Sequence, residues 1–295
     1  MNSTTFKGII AYPVTPYLNG DEAIDLNTLG TIIDRLIDTE IGAIAALGSA
    51  GESAYLTNNE WQDVANYTVK HVNSRVPVIV GISELTTANA IDRACFAESV
   101  GADAVMISPM SYYSLSENEI YQHYKSIAES INIPIMLYNN PATSGIDMSP
   151  EFMLKMVSDI KNITMIKEST GDIQRMHLIY SLSDGKVPFY NGCNYMALEA
   201  LNAGAAGWCT AAPCLIGDKP KRLFDAIQNG EAVSARAQFY KQREFLEFIV
   251  KNGLAASVKA GLSIQGLDSG TARKPLLSLP SDSQEKLESL MEELV

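Results

Sequence analysis

The feature that most restricts this chain is an alternation, repeated eight times, of short apolar runs with stretches of helical character. The runs are GIIAYPVTP from Gly8, IGAIAALGS from Ile41, VPVIVGIS from Val76, ADAVMISP from Ala102, IPIMLYNN from Ile133, ITMIKEST from Ile163, VPFYNGC from Val187 and AAGWCTAA from Ala205. Each is too short for a typical helix and carries apolar residues at both odd and even positions, as strands buried on both faces of a parallel sheet require. A doubly wound open sheet usually has fewer strands and a topological switch point. Eight strand-helix units instead predict an α/β fold of the closed TIM type, a (β/α)8 barrel.

The intervening segments carry helix signals. Leu29, Ile32, Ile33, Leu36 and Ile37 make one apolar stripe at helical spacing. Thr57 with Glu60 and Ser116 with Glu119 have the spacing of capping boxes. Ser149 before Pro150 fits an N-cap followed by a first-turn proline, and Asp218 is expected to cap a helix stopped by Gly230. About seventy-five residues follow the eighth run, with helical patterns at Phe224–Ile227, Phe239–Val250 and Leu287–Leu294. No low-complexity linker precedes them. The expected division is therefore 1–218 for the barrel's catalytic region and 219–295 for the last barrel helix plus a C-terminal helical extension packed on the barrel.

Composition narrows the function. A formal net charge of -12 opposes attraction to phosphate backbones and anionic lipid surfaces, so neither nucleic acid nor membrane is an expected partner. The amino-terminal MNSTTFKGII has no basic segment leading into an apolar one, and no apolar run approaches about 18 residues, which points to a cytoplasmic protein. Cys95, Cys193, Cys209 and Cys214 form no C-x-x-C pair and read as reduced thiols, mostly core filler. His71, His123 and His177 fall in helical segments without metal-ligand spacing, so no metal is expected. The turns NGCN and TAAPC after the seventh and eighth runs lack the glycine pairs of a barrel phosphate site, which disfavours phosphorylated substrates and flavin nucleotides.

In such a barrel, chemistry sits at the carboxyl ends of the strands. The sixth run places Lys167 at the end of an apolar stretch. Withdrawing an ammonium from water favours the neutral amine, the form that attacks a carbonyl. The bland alternative is a lysine that reaches solvent or pairs with Glu168. The fifth run ends in Tyr138, a phenol on the neighbouring strand that could move protons, or a core tyrosine with a satisfied hydroxyl. After the second run, Gly48-Ser49-Ala50-Gly51-Glu52 is a turn whose glycines allow close backbone approach, with amides suited to a carboxylate and a Ser49 hydroxyl suited to a proton relay.

Taken together, G-S-A-G-E at Gly48–Glu52, Y-N-N-P at Tyr138–Pro141 and I-K-E-S-T-G at Ile166–Gly171 resemble the dihydrodipicolinate synthase and N-acetylneuraminate lyase family, in order and spacing from the first strand through at least the eighth. The resemblance implies a lyase of the class I aldolase type that needs no cofactor. Lys167 would form an imine with pyruvate or another 2-oxo acid, Tyr138 would be the acid/base, and Ser49 would relay protons and, with Ala50 and Gly51, hold the substrate carboxylate. Thr143, Gly192 and Cys209 complete the substrate-binding candidates. Tyr113, the second of the pair Tyr112-Tyr113, would complete the relay from an adjacent subunit, although Met110 and Ser111 lengthen its loop. A homo-oligomer, dimer or tetramer, is likewise implied.

Two departures bear on the substrate. Thr143 stands where dihydrodipicolinate synthases carry an arginine for the carboxylate of aspartate semialdehyde, and a threonine lacks that charged fork. Ala50 stands where a threonine is usual. A sugar-acid type of substrate is the expectation, with 4-hydroxy-tetrahydrodipicolinate synthesis as the alternative. Asn58 and Trp61 replace histidines that help bind inhibitory lysine in some synthases, so lysine feedback is not expected. Two readings from other classes stay beside these: a non-catalytic protein that keeps the 2-oxo-acid pocket, and an unrelated barrel enzyme in which Lys167 forms only an ion pair.

Overall fold

In the computed structural model, which describes residues 6–294, the eight runs form eight parallel strands closed into a barrel. They are Gly8–Ala11, Ala43–Ala46, Val78–Gly81, Ala104–Ile107, Ile135–Asn139, Ile163–Glu168, Phe189–Asn191 and Gly207–Thr210, called here the first to eighth. Each pairs with its sequence neighbours, and the first closes on the eighth through Gly8↔Gly207 to Ala11↔Thr210. Of the strand residues only Thr164 is less than fully buried, which explains their continuous apolar character. Met1–Thr5 of the amino-terminal stretch lie outside the described residues.

The helices follow the local signals closely. Leu26–Ile37 buries Leu29, Ile32, Ile33 and Leu36 against the barrel, each side chain contributing roughly 1.5–3 kcal/mol of apolar burial. Both capping boxes form, at Thr57/Glu60 and Ser116/Glu119, and Ser149 accepts from the Phe152 amide ahead of Pro150–Asp159. Asp218 departs from expectation. It precedes Lys219–Gln228, but its side chain makes no cap bond and instead pairs with Arg222 at 2.8 Å, one turn on.

After that last barrel helix come Ala232–Lys251, Leu254–Ile264 and Ser281–Glu292. The second of these had no amphipathic signal in the sequence because it is buried nearly all round, from Ala255 through Lys259 to Leu262. No helix among the described residues is long and apolar enough to cross a membrane.

The tail braces the turn that follows the second strand. Lys259 and Glu52 meet at 2.7 Å with both side chains almost fully buried, Lys259 lies over the Tyr17 ring at 3.9 Å, and the Arg273 amide donates to the other Glu52 oxygen at 2.6 Å. Arg273 also grips Glu60 with two bonds of 2.8 Å and donates to the carbonyls of Tyr55 and Asp21. Burial holds the Lys259 ammonium down at about 8, against the opposing pull of Glu52. The turn has strain to offset, because Leu47 and Glu52 adopt positive φ of 60° and 54°, a cost of about 1–3 kcal/mol each.

Two outcomes follow from this brace. Lys259→Met strands a buried carboxylate, so chemical denaturation should show a loss of about 3–5 kcal/mol, and adding Glu52→Gln to the same chain should recover most of it; a loss below about 1 kcal/mol would contradict the brace. The Arg273 guanidinium holds the Glu60 carboxyl down at about 2, below its ordinary 4.5, so its stabilisation is fully present above pH 4.5 and is lost as pH falls towards 2. The stability gap between the native chain and Glu60→Gln, about 1–3 kcal/mol at pH 7, should therefore close over that acidic window in pH-dependent melting.

Candidate active site

Lys167 is the penultimate residue of the sixth strand and Tyr138 the penultimate residue of the fifth, and the two are register partners. Strand alternation sends both into the barrel while their successors point outward. Outward, the fully buried Glu168 carboxylate receives the Thr170 amide at 2.7 Å, Asn139 Nδ2 at 3.2 Å and Arg175 Nε at 3.2 Å. Glu168 thus belongs to Arg175 and not to Lys167, and among the described residues Lys167 has no carboxylate partner.

Lys167 is 5% exposed. Its Nζ lies 3.8 Å from the centroid of the Tyr138 ring and 4.3 Å from that of Tyr12, and it donates to the Tyr12 hydroxyl at 3.2 Å. The reading in which this amine turns outward into an ion pair is therefore excluded. Gly192 makes the arrangement possible, since a Cβ there would stand 2.8 Å from Lys167 Cε and 1.8 Å from Ser169 Oγ. Cys209, on the eighth strand, is buried and joins the cluster through Tyr12; burial pushes its thiol up, with the Lys167 charge and the Tyr12 hydrogen bond opposing. Tyr12 itself was missed by sequence reasoning. It follows the first strand just as Tyr138 ends the fifth, yet its meeting with Lys167 spans 155 residues of sequence across the barrel interior, which no local pattern reveals.

A cleft of about 410 Å³ reaches this cluster at Tyr138 and Met106, and its lining also includes Ser49, Ser108, Met110, Thr143 and Ser144, with Lys167 itself behind the lining. The Ser49 side chain is exposed, and the buried Ser108 hydroxyl has no partner among the described residues. In the turn, the amides of Gly51 and Glu52 bond back to Gly48 and Ser49. The Ser49 and Ala50 amides find no acceptor among the described residues, and of the two residues Ser49 lines the cleft while Ala50 is buried behind it. Gly51 accepts from Thr15 Oγ1 at 2.7 Å, which anchors the turn's far side.

The relay suggested by the sequence is not assembled within one chain. The Tyr138 hydroxyl accepts from Asn140 Nδ2 at 2.7 Å, and no hydrogen bond joins it to Ser49. Tyr113 is 75% exposed, packed edge-on against Tyr112 at 5.2 Å and away from the cleft. Thr143 is exposed on the cleft wall, bonded to the Asn140 carbonyl at 3.2 Å. Trp61 is fully buried with its indole nitrogen donating to the Gly81 carbonyl at 3.1 Å, so it fills core space. Among the described residues no cluster of His, Cys, Asp and Glu side chains is placed to hold a metal ion.

Comparison with known proteins agrees with this geometry. The profile of the Dihydrodipicolinate synthetase family matches residues 5–294. The chain is 32% identical to the 4-hydroxy-tetrahydrodipicolinate synthase of Bacillus subtilis, over 98% of this chain and 99% of that one. Among solved structures, it is similar to a Pseudomonas aeruginosa protein described as a candidate dihydrodipicolinate synthetase, with TM-score 0.97, 51% identity and coverage of 99% and 100%. It is also similar to the dihydrodipicolinate synthase DapA-2 of Bacillus anthracis, with TM-score 0.92, 33% identity and coverage of 97% and 98%. Matched along nearly its whole length by sequence and by fold, the chain belongs to the dihydrodipicolinate synthetase family and is an enzyme, a lyase of the pyruvate-dependent class I aldolase type.

Proposed function

We propose that Lys167 condenses with the ketone of pyruvate or a related 2-oxo acid, and that the resulting imine serves as the electron sink for making or breaking a bond at the neighbouring carbon. The observation that carries this reading is the placement of Lys167 Nζ: buried at the ends of the strands, beside two phenol rings and without a carboxylate partner among the described residues. The free Ser49 and Ala50 amides receive the substrate carboxylate beside the reacting carbonyl. Tyr138, which lines the cleft and whose ring borders Nζ, carries protons to and from the substrate oxygen. Ser49 and an exposed Tyr113 contributed by a second copy of the chain would extend that path in a homo-oligomer. No cofactor is needed, because the imine itself supplies the cationic centre.

For the second substrate we favour a polyhydroxylated, sugar-acid type. The cleft wall offers hydroxyls at Ser49, Ser108, Thr143 and Ser144, and no cationic side chain among the described residues lining it. Hydroxyl groups can pair with that wall, whereas a second carboxylate would enter without the guanidinium fork that offsets its desolvation. The relatives' own name keeps 4-hydroxy-tetrahydrodipicolinate synthesis as the other reading. A purely binding protein has less support, since binding alone calls for no buried lysine amine 3.8 Å from a phenol ring.

Incubation with pyruvate and borohydride should add one reduced pyruvate at Lys167, located by peptide mass spectrometry, and Lys167→Ala should abolish both adduct and turnover; an unmodified lysine across a panel of 2-oxo acids would overturn the imine. Assayed side by side, hydroxylated 2-oxo acids should turn over at typical enzyme rates, about 1–1000 per second, with pyruvate plus aspartate semialdehyde at least about tenfold slower. The reverse order would assign the synthase activity.

A further inference from the structure

The reaction proposed above uses one of the two phenols around Lys167 and leaves the other unassigned. Tyr12 is 4% exposed, its hydroxyl oxygen accepts from Nζ at 3.2 Å, and the same hydroxyl donates to Met106 Sδ at 3.1 Å. The ring has a place made for it. A Cβ on Gly48 would stand 2.7 Å from two Tyr12 ring carbons, so the glycine that opens the substrate turn is also the one that admits this phenol. Burial pushes the Tyr12 phenol well above its ordinary value, with the neighbouring Cys209 and Tyr138 adding to the effect, so it remains a neutral acceptor beside Nζ.

Imine formation sets a specific demand on the nitrogen. Nζ first gives up one proton, which reaches the carbonyl oxygen by way of Tyr138; its freed lone pair forms the C–N bond as the carbonyl π pair moves to oxygen, and a second nitrogen hydrogen then leaves with that oxygen as water while the C–O bond breaks and the C=N bond forms. One hydrogen stays on nitrogen, which ends positively charged. With Glu168 committed to Arg175 on the outer face, no carboxylate among the described residues is placed to receive that hydrogen.

We propose that Tyr12 is a further catalytic residue of this enzyme, its hydroxyl oxygen accepting the one hydrogen that Nζ retains through to the protonated imine, so that the nitrogen's lone pair faces the incoming carbonyl carbon together with the hydrogen that later leaves as water. The role is distinct from that of Tyr138, which exchanges protons with substrate oxygen. Met106 Sδ turns the Tyr12 hydroxyl so that a lone pair faces Nζ, and the ring face shares the cation with Tyr138.

The proposal rests on the imine reading, and one experiment separates them. Adduct formation at Lys167 is followed by rapid mixing with pyruvate, borohydride quench and intact-mass analysis. With Tyr12→Phe, which keeps the ring and loses the acceptor, the limiting rate at saturating pyruvate should fall about tenfold or more, while half-saturating pyruvate stays within about twofold and the melting temperature within a few degrees. With Met106→Leu, a substitution of nearly constant volume, the rate should fall about two- to fivefold, which keeps the test open if the first variant folds poorly. A limiting rate unchanged in both, or an effect confined to half-saturation and melting, would overturn the proposal and mark Tyr12 as packing. No adduct in the unmodified enzyme would instead overturn the imine reading.

Discussion

The arrangement depends on one placement: a lysine amine held inside the mouth of a barrel, with aromatic faces where a counter-ion would ordinarily stand. Withdrawing an ammonium from water is costly, and a buried carboxylate would offset the cost by pairing with it so firmly that the nitrogen could not serve as a nucleophile. Two phenol rings at 3.8 and 4.3 Å attract a cation more weakly, by about 0.5–2 kcal/mol each. That is enough to orient the nitrogen and too little to consume it. The alternation of the sixth strand enforces the choice, because Lys167 faces inward and Glu168 is sent outward to Arg175, Asn139 and the Thr170 amide.

The rest of the site is a matter of holding backbone close to that nitrogen. Gly192 lets the seventh strand pass against the lysine stem, and Gly48 lets the turn after the second strand pass against the Tyr12 ring. The turn runs between two residues at positive φ, Leu47 and Glu52. Their strain persists because Glu52 is clamped by Lys259 and by the Arg273 amide from the C-terminal extension. The extension is thus tied to the turn after the second strand by an ion pair and a hydrogen bond rather than by apolar packing alone, and the Ser49 and Ala50 amides owe their positions to residues more than two hundred positions away.

Much of this was legible in the sequence, and the limits are physical. Strands buried on both faces read as continuous apolar runs, so all eight were visible; the capping boxes at Thr57 and Ser116 were visible because a cap is a contact over three residues. The Leu254–Ile264 helix was invisible because burial on all sides leaves no stripe, and Asp218 misled because a side chain that can cap can equally pair with an arginine one turn on. Lys167 and Tyr138 were singled out by their strand-end positions, and Ser49 and Thr143 by motif; the structure sets the first two side by side and puts the other two on one cleft wall. Tyr12, the Glu52–Lys259 pair and the Arg273 grip were not, since each joins segments whose proximity only barrel closure creates.

The central claim concerns the chemical state of a 2-oxo acid once it reaches Lys167. Carbon NMR of pyruvate labelled at the ketone carbon, bound to the unmodified enzyme, tests it without a reductant or a variant. The account predicts that the ketone resonance is replaced by an imine resonance that shows coupling when the lysine side-chain nitrogens are also isotopically labelled. A bound ligand that keeps its ketone or hydrate signal at saturating enzyme would contradict it.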